Sequence, residues 1–448
     1  MPSPHPAQEA LDAARVRFSQ RNARSQSLHQ TALSSLPGGN TRSILHTSPF
    51  PISLRSGHAH TVTSEDGHTY VDLVAEMTAG LYGHSHPLLI STIKNTLDEV
   101  GLNLGGTIEQ EAVLAKAICE RFDLDTVRLA NSGTEGNLHA LGAARKFQEG
   151  RGKGRKVVVF EGGYHGGVLH FPAGKGQAEN NVDRDDFIIT PFNDISALEQ
   201  VLEENGDDVA AVLMEPMLSA GGCIPGTRNF LRSVRRLTRE KDILLILDEV
   251  VTSRLTPGGL GREHGLEPDL KTMGKWLGGG LAFGCFGGRS DIMSVYDPRT
   301  SGALSHSGTF NNNTLAMRAG HTGLTKVFTP EACVNLNNLG DSLRTNLTVA
   351  TRSQESHGMC WTGHGSVLGL HFYKEQPYGK DGKGENGFEY RTEEDEVWKE
   401  LFWLEMMEEG FWLARRGLVA LVLDTPTEEV DRFVAAVKGF LRKYQDIR

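Results

Sequence analysis

Apolar and polar positions follow different periods along this chain, and the changes of period divide it. Residues 8–33 read as an amphipathic opening helix that stops before Leu36-Pro37-Gly38-Gly39. Residues 51–75 alternate apolar and polar around Ser64-Glu65-Asp66-Gly67, as a β-meander does. From about 108 to 330, the short apolar runs Thr126–Ala130, Lys156–Phe160, Ala210–Met214 and Leu244–Leu247 alternate with helical stretches. Runs so short and so apolar predict strands buried on both faces. Their alternation with helices predicts a mostly parallel sheet covered on both sides. Beyond 330 the pattern predicts a helix over 331–352, a strand over Gly365–Phe372 and helices over 397–409 and 426–443. Between them, residues 374–396 are rich in Gly, Lys and Glu and are expected to form a mobile excursion. The predicted plan is a large α/β domain over 76–328, with a small α+β domain assembled from 1–75 and 329–448.

Length agrees with that plan, since 448 residues exceed what one compact core holds. A net charge of -10 argues against a nucleic-acid or anionic-membrane binder, and no apolar run approaches the length of a membrane span. The five cysteines, Cys119, Cys223, Cys285, Cys333 and Cys360, form no CxxC pair. Neither a disulfide framework nor a metal site is expected, and a reducing, cytoplasmic setting fits. Arg15, Arg17, Arg21 and Arg24 hint at a mitochondrial transit peptide, but Glu9 and Asp12 interrupt them. The 52 glycines are the one excess, clustering around 38–39, 101–106, 162–167, 278–288 and 363–369 as site loops would.

Candidate chemistry sits where strands end. Ser132-Gly133-Thr134 follows one strand and opens a helix, whose N-terminus offers unpaired N–H groups to a phosphate. On its own the same triplet fits a simple N-cap. Tyr164 and His165 follow the next strand in a Gly-rich turn, where an aromatic ring can stack on a flat ligand. Glu215 ends a third strand, and Asp248-Glu249 ends a fourth. Acids at the ends of buried strands are costly without partners, and a pyridine nitrogen would be such a partner. Lys275 stands in Gly274-Lys275-Trp276-Leu277-Gly278; any single loop lysine is more often solvated than chemical. As a nucleophile it must lose its proton, which burial and nearby positive charge assist. Thr309, in Ser307-Gly308-Thr309-Phe310-Asn311-Asn312-Asn313, could add a phosphate donor, and the three asparagines fit a tight hydrogen-bonded loop. Each signal is modest; their order and repeated placement at strand ends make the set specific.

Taken together these residues resemble the class III (ω-type) aminotransferases of pyridoxal-phosphate fold type I. Within them the chain looks most like the glutamate-1-semialdehyde aminomutase branch, and in particular the aromatic β-amino acid (β-phenylalanine) aminotransferases. The resemblance runs from about 30 to 440. Its other carriers are Pro37–Ser43, Thr78–His84, Asp248–Arg254 and His306–Asn313. It implies a seven-stranded, mostly parallel sheet between helices in the large domain. It implies pyridoxal 5'-phosphate as cofactor, with Lys275 as Schiff-base former and proton shuttle and Asp248 on the ring nitrogen. Val250 and Tyr164 would cover the two ring faces, with His165 adding a polar contact. Ser132, Gly133 and Thr134 would hold the phosphate, and Glu215 would orient the region of the cofactor hydroxyl. Thr309 would reach the phosphate of the neighbouring subunit, since such enzymes build each site across a homodimer interface. Arg42 matches the carboxylate-binding arginine of the β-amino acid enzymes, and Arg416 a second arginine near their site. Met77 and Tyr82 fall in the substrate region, Met77 where a tyrosine is usual. Gly136 stands where alanine is usual, a change expected to matter only through helix propensity.

The function so implied is ping-pong transfer of an amino group from an amino acid, an aromatic β-amino acid first among them, to a 2-oxo acid such as 2-oxoglutarate or pyruvate. The alternatives are an aminomutase and a racemase on the same scaffold. Val251-Thr252-Ser253-Arg254 departs from the Met-Thr-Gly-Phe-Arg usual in the mutases, which counts against the first. A binding protein without cofactor ranks last, because Lys275, Asp248 and Tyr164 are all present.

Overall fold

Strand alternation accounts for the central sheet. The computed structural model describes residues 5–172, 183–352, 358–373 and 393–447. Seven strands form the sheet: β1 (Thr126–Ala130), β2 (Lys156–Phe160), β3 (Phe187–Thr190), β4 (Val209–Met214), β5 (Leu244–Asp248), β6 (Leu270–Gly274) and β7 (Gly284–Gly288). Their order is β1-β7-β6-β5-β4-β2-β3. Only β7 runs antiparallel to its neighbours, β1 and β6. Side chains alternate across the sheet. Val157, Val159, Ala211, Leu213, Leu244 and Ile246 pack on one face with Ala140, Leu141 and Ala144 of helix Gly133–Glu149. Val158, Phe160, Val212, Met214, Leu245 and Leu247 pack on the other, with Phe230, Leu231 and Val234 of helix Arg228–Glu240. This is the mostly parallel α/β sheet expected.

Three of the strands were not legible as apolar runs. In β6, Lys271 and Thr272 are polar yet buried; the Lys271 ammonium donates to the Phe122 carbonyl at 2.8 Å. β3 has only four residues. β7 reads Gly-Cys-Phe-Gly-Gly and falls in the glycine cluster 278–288 expected to be site loop. The reason for its glycines is close approach. A Cβ on Gly284 would lie 1.9 Å from the Ser132 carbonyl oxygen, and one on Gly287 2.3 Å from that of Thr126. The cluster at 363–369 is likewise a hairpin, between strands Met359–His364 and Val367–Phe372.

The chain divides into two compact units. Among the described residues, one comprises 87–337, the other 5–86, 338–373 and 393–447. The second unit holds the meander Leu54–His58, Thr61–Ser64 and Thr69–Asp72, joined by Phe411–Trp412 in parallel. A three-stranded sheet of Met359–His364, Val367–Phe372 and Leu418–Ala420 follows, with helices Glu396–Glu408 and Thr427–Tyr444. The opening helix is two, Gln8–Arg21 and Ala23–Leu33. Between them Asn22 leaves helical geometry while its side-chain amide donates to the Phe18 carbonyl at 2.8 Å. Leu11, Ala14 and Phe18 are buried, and Arg15 and Arg17 pair with Glu400, Glu405 and Glu408, so this stretch is an integral part of the unit. The excursion expected over 374–396 lies almost wholly outside the described residues.

Because Gly284 carries the phosphate-type turn on bare backbone, Gly284→Ala should destabilise the protein by about 3 kcal/mol. The urea midpoint of the cofactor-free protein measures this, and an unchanged midpoint would refute the close approach.

Candidate active site

The carboxyl ends of β1, β2, β4, β5 and β6 bring most of the expected residues together. Ser132 follows β1 and caps helix Gly133–Glu149, its Oγ accepting from the Glu135 N–H at 3.2 Å. The Glu135 carboxylate reaches back to accept from the Asn131 N–H at 2.9 Å, a variant of the capping box. The helix N-terminus is thereby held with its first N–H groups outward, an anion-binding end.

Glycines let neighbouring elements close around this turn. A Cβ on Gly133 would fall 2.6 Å from a Val250 methyl, and one on Gly166 2.2 Å from the Thr134 hydroxyl. Val250 and the turn bearing Tyr164 and His165 are thus drawn against Ser132-Gly133-Thr134. Gly136 also proves to be more than a helix-propensity matter: its added Cβ would lie 2.9 Å from the Cys285 carbonyl oxygen on β7.

Asp248, at the end of β5, is 3% exposed and is the hub of the site. Its Oδ2 lies 2.7 Å from His165 Nδ1 and accepts from the Asn137 amide at 2.8 Å. Its Oδ1 accepts from the Val250 N–H at 2.9 Å. Asn137 in turn donates to the His165 carbonyl at 3.0 Å and accepts from the Thr272 hydroxyl at 2.6 Å. Asn137 was not among the residues expected from the sequence. The signal that could have found it is a polar residue on the buried face of the helix that follows the turn.

Glu249, next in sequence, points the other way, as strand alternation requires. It accepts from the Leu260 and Gly261 N–H groups and the Thr252 hydroxyl, and burial holds its carboxyl above the usual carboxylate range. It is a structural acid. Glu215 is buried too, which raises its pKa, while nearby His165 opposes the rise. It accepts from the Tyr164 N–H at 3.1 Å and from the N–H and hydroxyl of Ser219. Glu215 therefore fixes the Tyr164 segment. The Tyr164 ring is 40% exposed, edge-on to His170 at 5.4 Å between centroids.

Lys275 immediately follows β6, half-buried, with φ 55. A left-handed backbone is costly for a lysine and is retained where surroundings impose it, often at functional sites. Thr309 stands exposed on the loop before helix Thr314–Thr322.

The expected substrate residues, Arg42, Met77, Tyr82 and Arg416, all belong to the other unit. There, Ala75, Glu76, Met77 and Thr78 form four successive left-handed residues, with φ of 48, 49, 52 and 77. For L-residues such a run is disfavoured by about 1–2 kcal/mol each. Asp72 clamps its start, accepting from the Val74 and Ala75 N–H groups at 2.8 and 3.0 Å while its other oxygen pairs with His84 at 2.9 Å. The turn presents Glu76 to Arg42, and the two form an exposed ion pair. Tyr82 is buried, and Arg416 is half-buried beside Arg415, which pairs with Glu400.

The geometry fits pyridoxal phosphate. A carboxylate has roughly four acceptor positions; three of Asp248's are taken by Asn137, Val250 and His165. A protonated ring nitrogen suits the remaining one. The helix end suits the phosphate, and Lys275 brings an amine immediately after β6.

Comparison with known proteins agrees. A family model described as aminotransferase class-III matches residues 45–418. The chain is similar to a beta-phenylalanine transaminase of Variovorax paradoxus, 42% identical over 97% of this chain and 96% of that protein. It is similar to a glutamate-1-semialdehyde 2,1-aminomutase of Pelotomaculum thermopropionicum at 33%, over 93% and 96%. Among solved structures it is similar to the beta-phenylalanine aminotransferase of Variovorax paradoxus with a TM-score of 0.90 at 40% identity, over 97% of each chain.

Replacing Asp248 with Ala leaves three groups of its shell without their acceptor. Asp248→Ala should cost about 3 kcal/mol of stability in the cofactor-free protein, read by chemical denaturation. A loss below about 1 kcal/mol would contradict the hub.

Proposed function

Because the chain belongs to the class-III aminotransferases and is a pyridoxal-phosphate-dependent transaminase, we propose that its amino donor is a β-amino acid, aromatic ones above all. The acceptor is a 2-oxo acid such as 2-oxoglutarate or pyruvate, and the enzyme works as a homodimer. The observation that carries the substrate class is the end-to-end likeness to a transaminase named for β-phenylalanine.

Bound pyridoxal phosphate supplies an electron sink for the carbon that loses its proton. The chain supplies the rest. The amine of Lys275 would take that proton and deliver it to the cofactor's C4′ carbon. Asp248, held by His165 and Asn137, keeps a proton on the ring nitrogen. Ser132, Gly133 and Thr134 hold the phosphate through the helix end, and Val250 and Tyr164 enclose the ring. Glu215 keeps Tyr164 in register by accepting its N–H.

Arg42 takes the donor's carboxylate, with Arg416, Met77 and Tyr82 shaping the remainder of the substrate site. A guanidinium fork suits a carboxylate. Its present partner, Glu76, is exposed, and an exposed ion pair holds by only about 0–1 kcal/mol. A substrate carboxylate therefore displaces it at little cost.

The homodimer reading has its own support. The loop 101–106 is tied to the Thr309 loop: Asn312 donates to the Gly106 carbonyl at 3.0 Å, and Thr314 to the Gly101 and Leu102 carbonyls. Leu102, Leu104 and Phe310 on these joined loops are each more than half exposed. Apolar groups grouped in this way suit an interface, and Thr309 among them suits a neighbour's phosphate. None of the five cysteines forms a disulfide, in keeping with a cytoplasmic setting. No helix among the described residues is long and apolar enough to cross a membrane.

The second reading, an aminomutase, is favoured by the 33% identity to one and opposed by Val251-Thr252-Ser253-Arg254.

Adding 3-amino-3-phenylpropanoate without acceptor should bleach the visible band of the bound cofactor and release the 3-oxo acid. Arg42→Ala should raise KM for that donor at least about tenfold while changing kcat less. No bleaching with any β-amino acid would overturn the substrate class. Conversion of glutamate-1-semialdehyde to 5-aminolevulinate without added oxo acid would establish the mutase instead.

A further inference from the structure

The run Asn311-Asn312-Asn313 contributes no obvious chemistry, yet each amide has a distinct partner. Asn313 caps helix Thr314–Thr322, accepting from the Leu315 and Ala316 N–H groups. Asn312 ties its loop to the Gly106 carbonyl and to Glu111. Asn311 does something different. Its side chain folds back over Gly308, where an added Cβ would lie 2.2 Å from Asn311 Oδ1. That oxygen accepts from the Asn131 side-chain amide at 2.9 Å.

Asn131 immediately precedes the phosphate turn. Its backbone and side-chain N–H groups both donate to Glu135 Oε2, at 2.9 and 3.1 Å, and the Glu135 N–H donates to Ser132 Oγ. On its far side, Asn311 Nδ2 lies 3.3 Å from His306 Nε2. The Arg128 guanidinium lies 3.2 Å from His306 Nδ1 and donates to the Tyr296 carbonyl. Burial, then His139 and Arg128, hold the His306 pKa down at about 4, so the ring is neutral. A continuous chain of hydrogen bonds thus links Asn311, Asn131, Glu135 and Ser132. It anchors the loop that carries Thr309 to the turn that opens the cofactor helix.

We propose that Asn311 is a positioning residue for phosphate: it braces the Asn131–Glu135 turn, so that the grip of Ser132, Gly133 and Thr134 on the cofactor phosphate depends on a side chain outside that triplet. The inference rests on reading Ser132–Thr134 as the phosphate turn. It explains why the motif carries Gly at 308 and Asn at 311. It also makes the Thr309 loop and the Ser132 turn move as one piece, so order in one imposes order in the other.

The test compares two ligands of the cofactor-free protein, pyridoxal phosphate and pyridoxal, which lacks the phosphate. Binding is followed by absorbance. Asn311→Ala should bind pyridoxal phosphate roughly tenfold more weakly, the effect of about one lost hydrogen bond, and pyridoxal as the parent does. Asn311→Asp, which keeps an oxygen for Asn131, should recover most of the loss. If Asn311→Ala does not fold, Asn311→Ser serves the same comparison. Unchanged affinity for pyridoxal phosphate, or equal weakening of both ligands, would overturn the proposal. Ser132→Ala separates the premise from the inference. If it lowers the preference for the phosphorylated ligand and Asn311→Ala does not, only the positioning role falls. If Ser132→Ala leaves that preference intact, the phosphate turn itself is wrong and the role of Asn311 falls with it.

Discussion

The site depends on one buried carboxylate. Asp248 is taken out of water at the end of β5 and would be prohibitively costly there alone. Three elements offset that cost: Asn137 from the helix after β1, His165 from the turn after β2, and the backbone at Val250. Satisfying the acid therefore fixes how these elements stand relative to one another. The arrangement that satisfies it also aims the helix N-terminus, the Tyr164 turn and the end of β6 at one place. Stability and chemistry here share the same hydrogen bonds.

Close backbone approach is the second constraint. Gly133 under Val250, Gly166 against Thr134 and Gly284 against the Ser132 carbonyl remove side chains where the ends of β1, β2, β5 and β7 crowd together. The glycine excess of the sequence is thus partly spent at the ligand site and partly inside strands.

Local pattern made much of this legible. Strands β2, β4 and β5 were readable because both their faces are buried, giving nearly uninterrupted apolar runs, and β1 from its alternation with helices, despite Arg128 and a partly exposed start. The helix after Ser132 was readable from its cap. β6 and β7 were not, because a buried lysine held by the Phe122 carbonyl and glycines forced by contact carry no strand signature. Asp248, Lys275 and the Ser132 turn were readable as a set through their order along the chain. Asn137 and Asn311 were not, since each acts through partners far away in sequence, Asp248 and Asn131. The separate directions of Asp248 and Glu249 follow from the two-residue period of a strand, but which one faced the ligand required the neighbouring elements. The left-handed turn at 75–78 contains no glycine to mark it, and its one local cue is Asp72, which clamps its start through the Val74 and Ala75 N–H groups.

The central claim is that Lys275, following β6 in a left-handed backbone, is the amine to which the cofactor is joined. Borohydride reduction of the cofactor-loaded protein makes that link permanent, and proteolysis with mass spectrometry locates it. The account predicts a phosphopyridoxyl group on the peptide containing Lys275 and on no other lysine. A modification centred on another lysine, or none on Lys275, would contradict it.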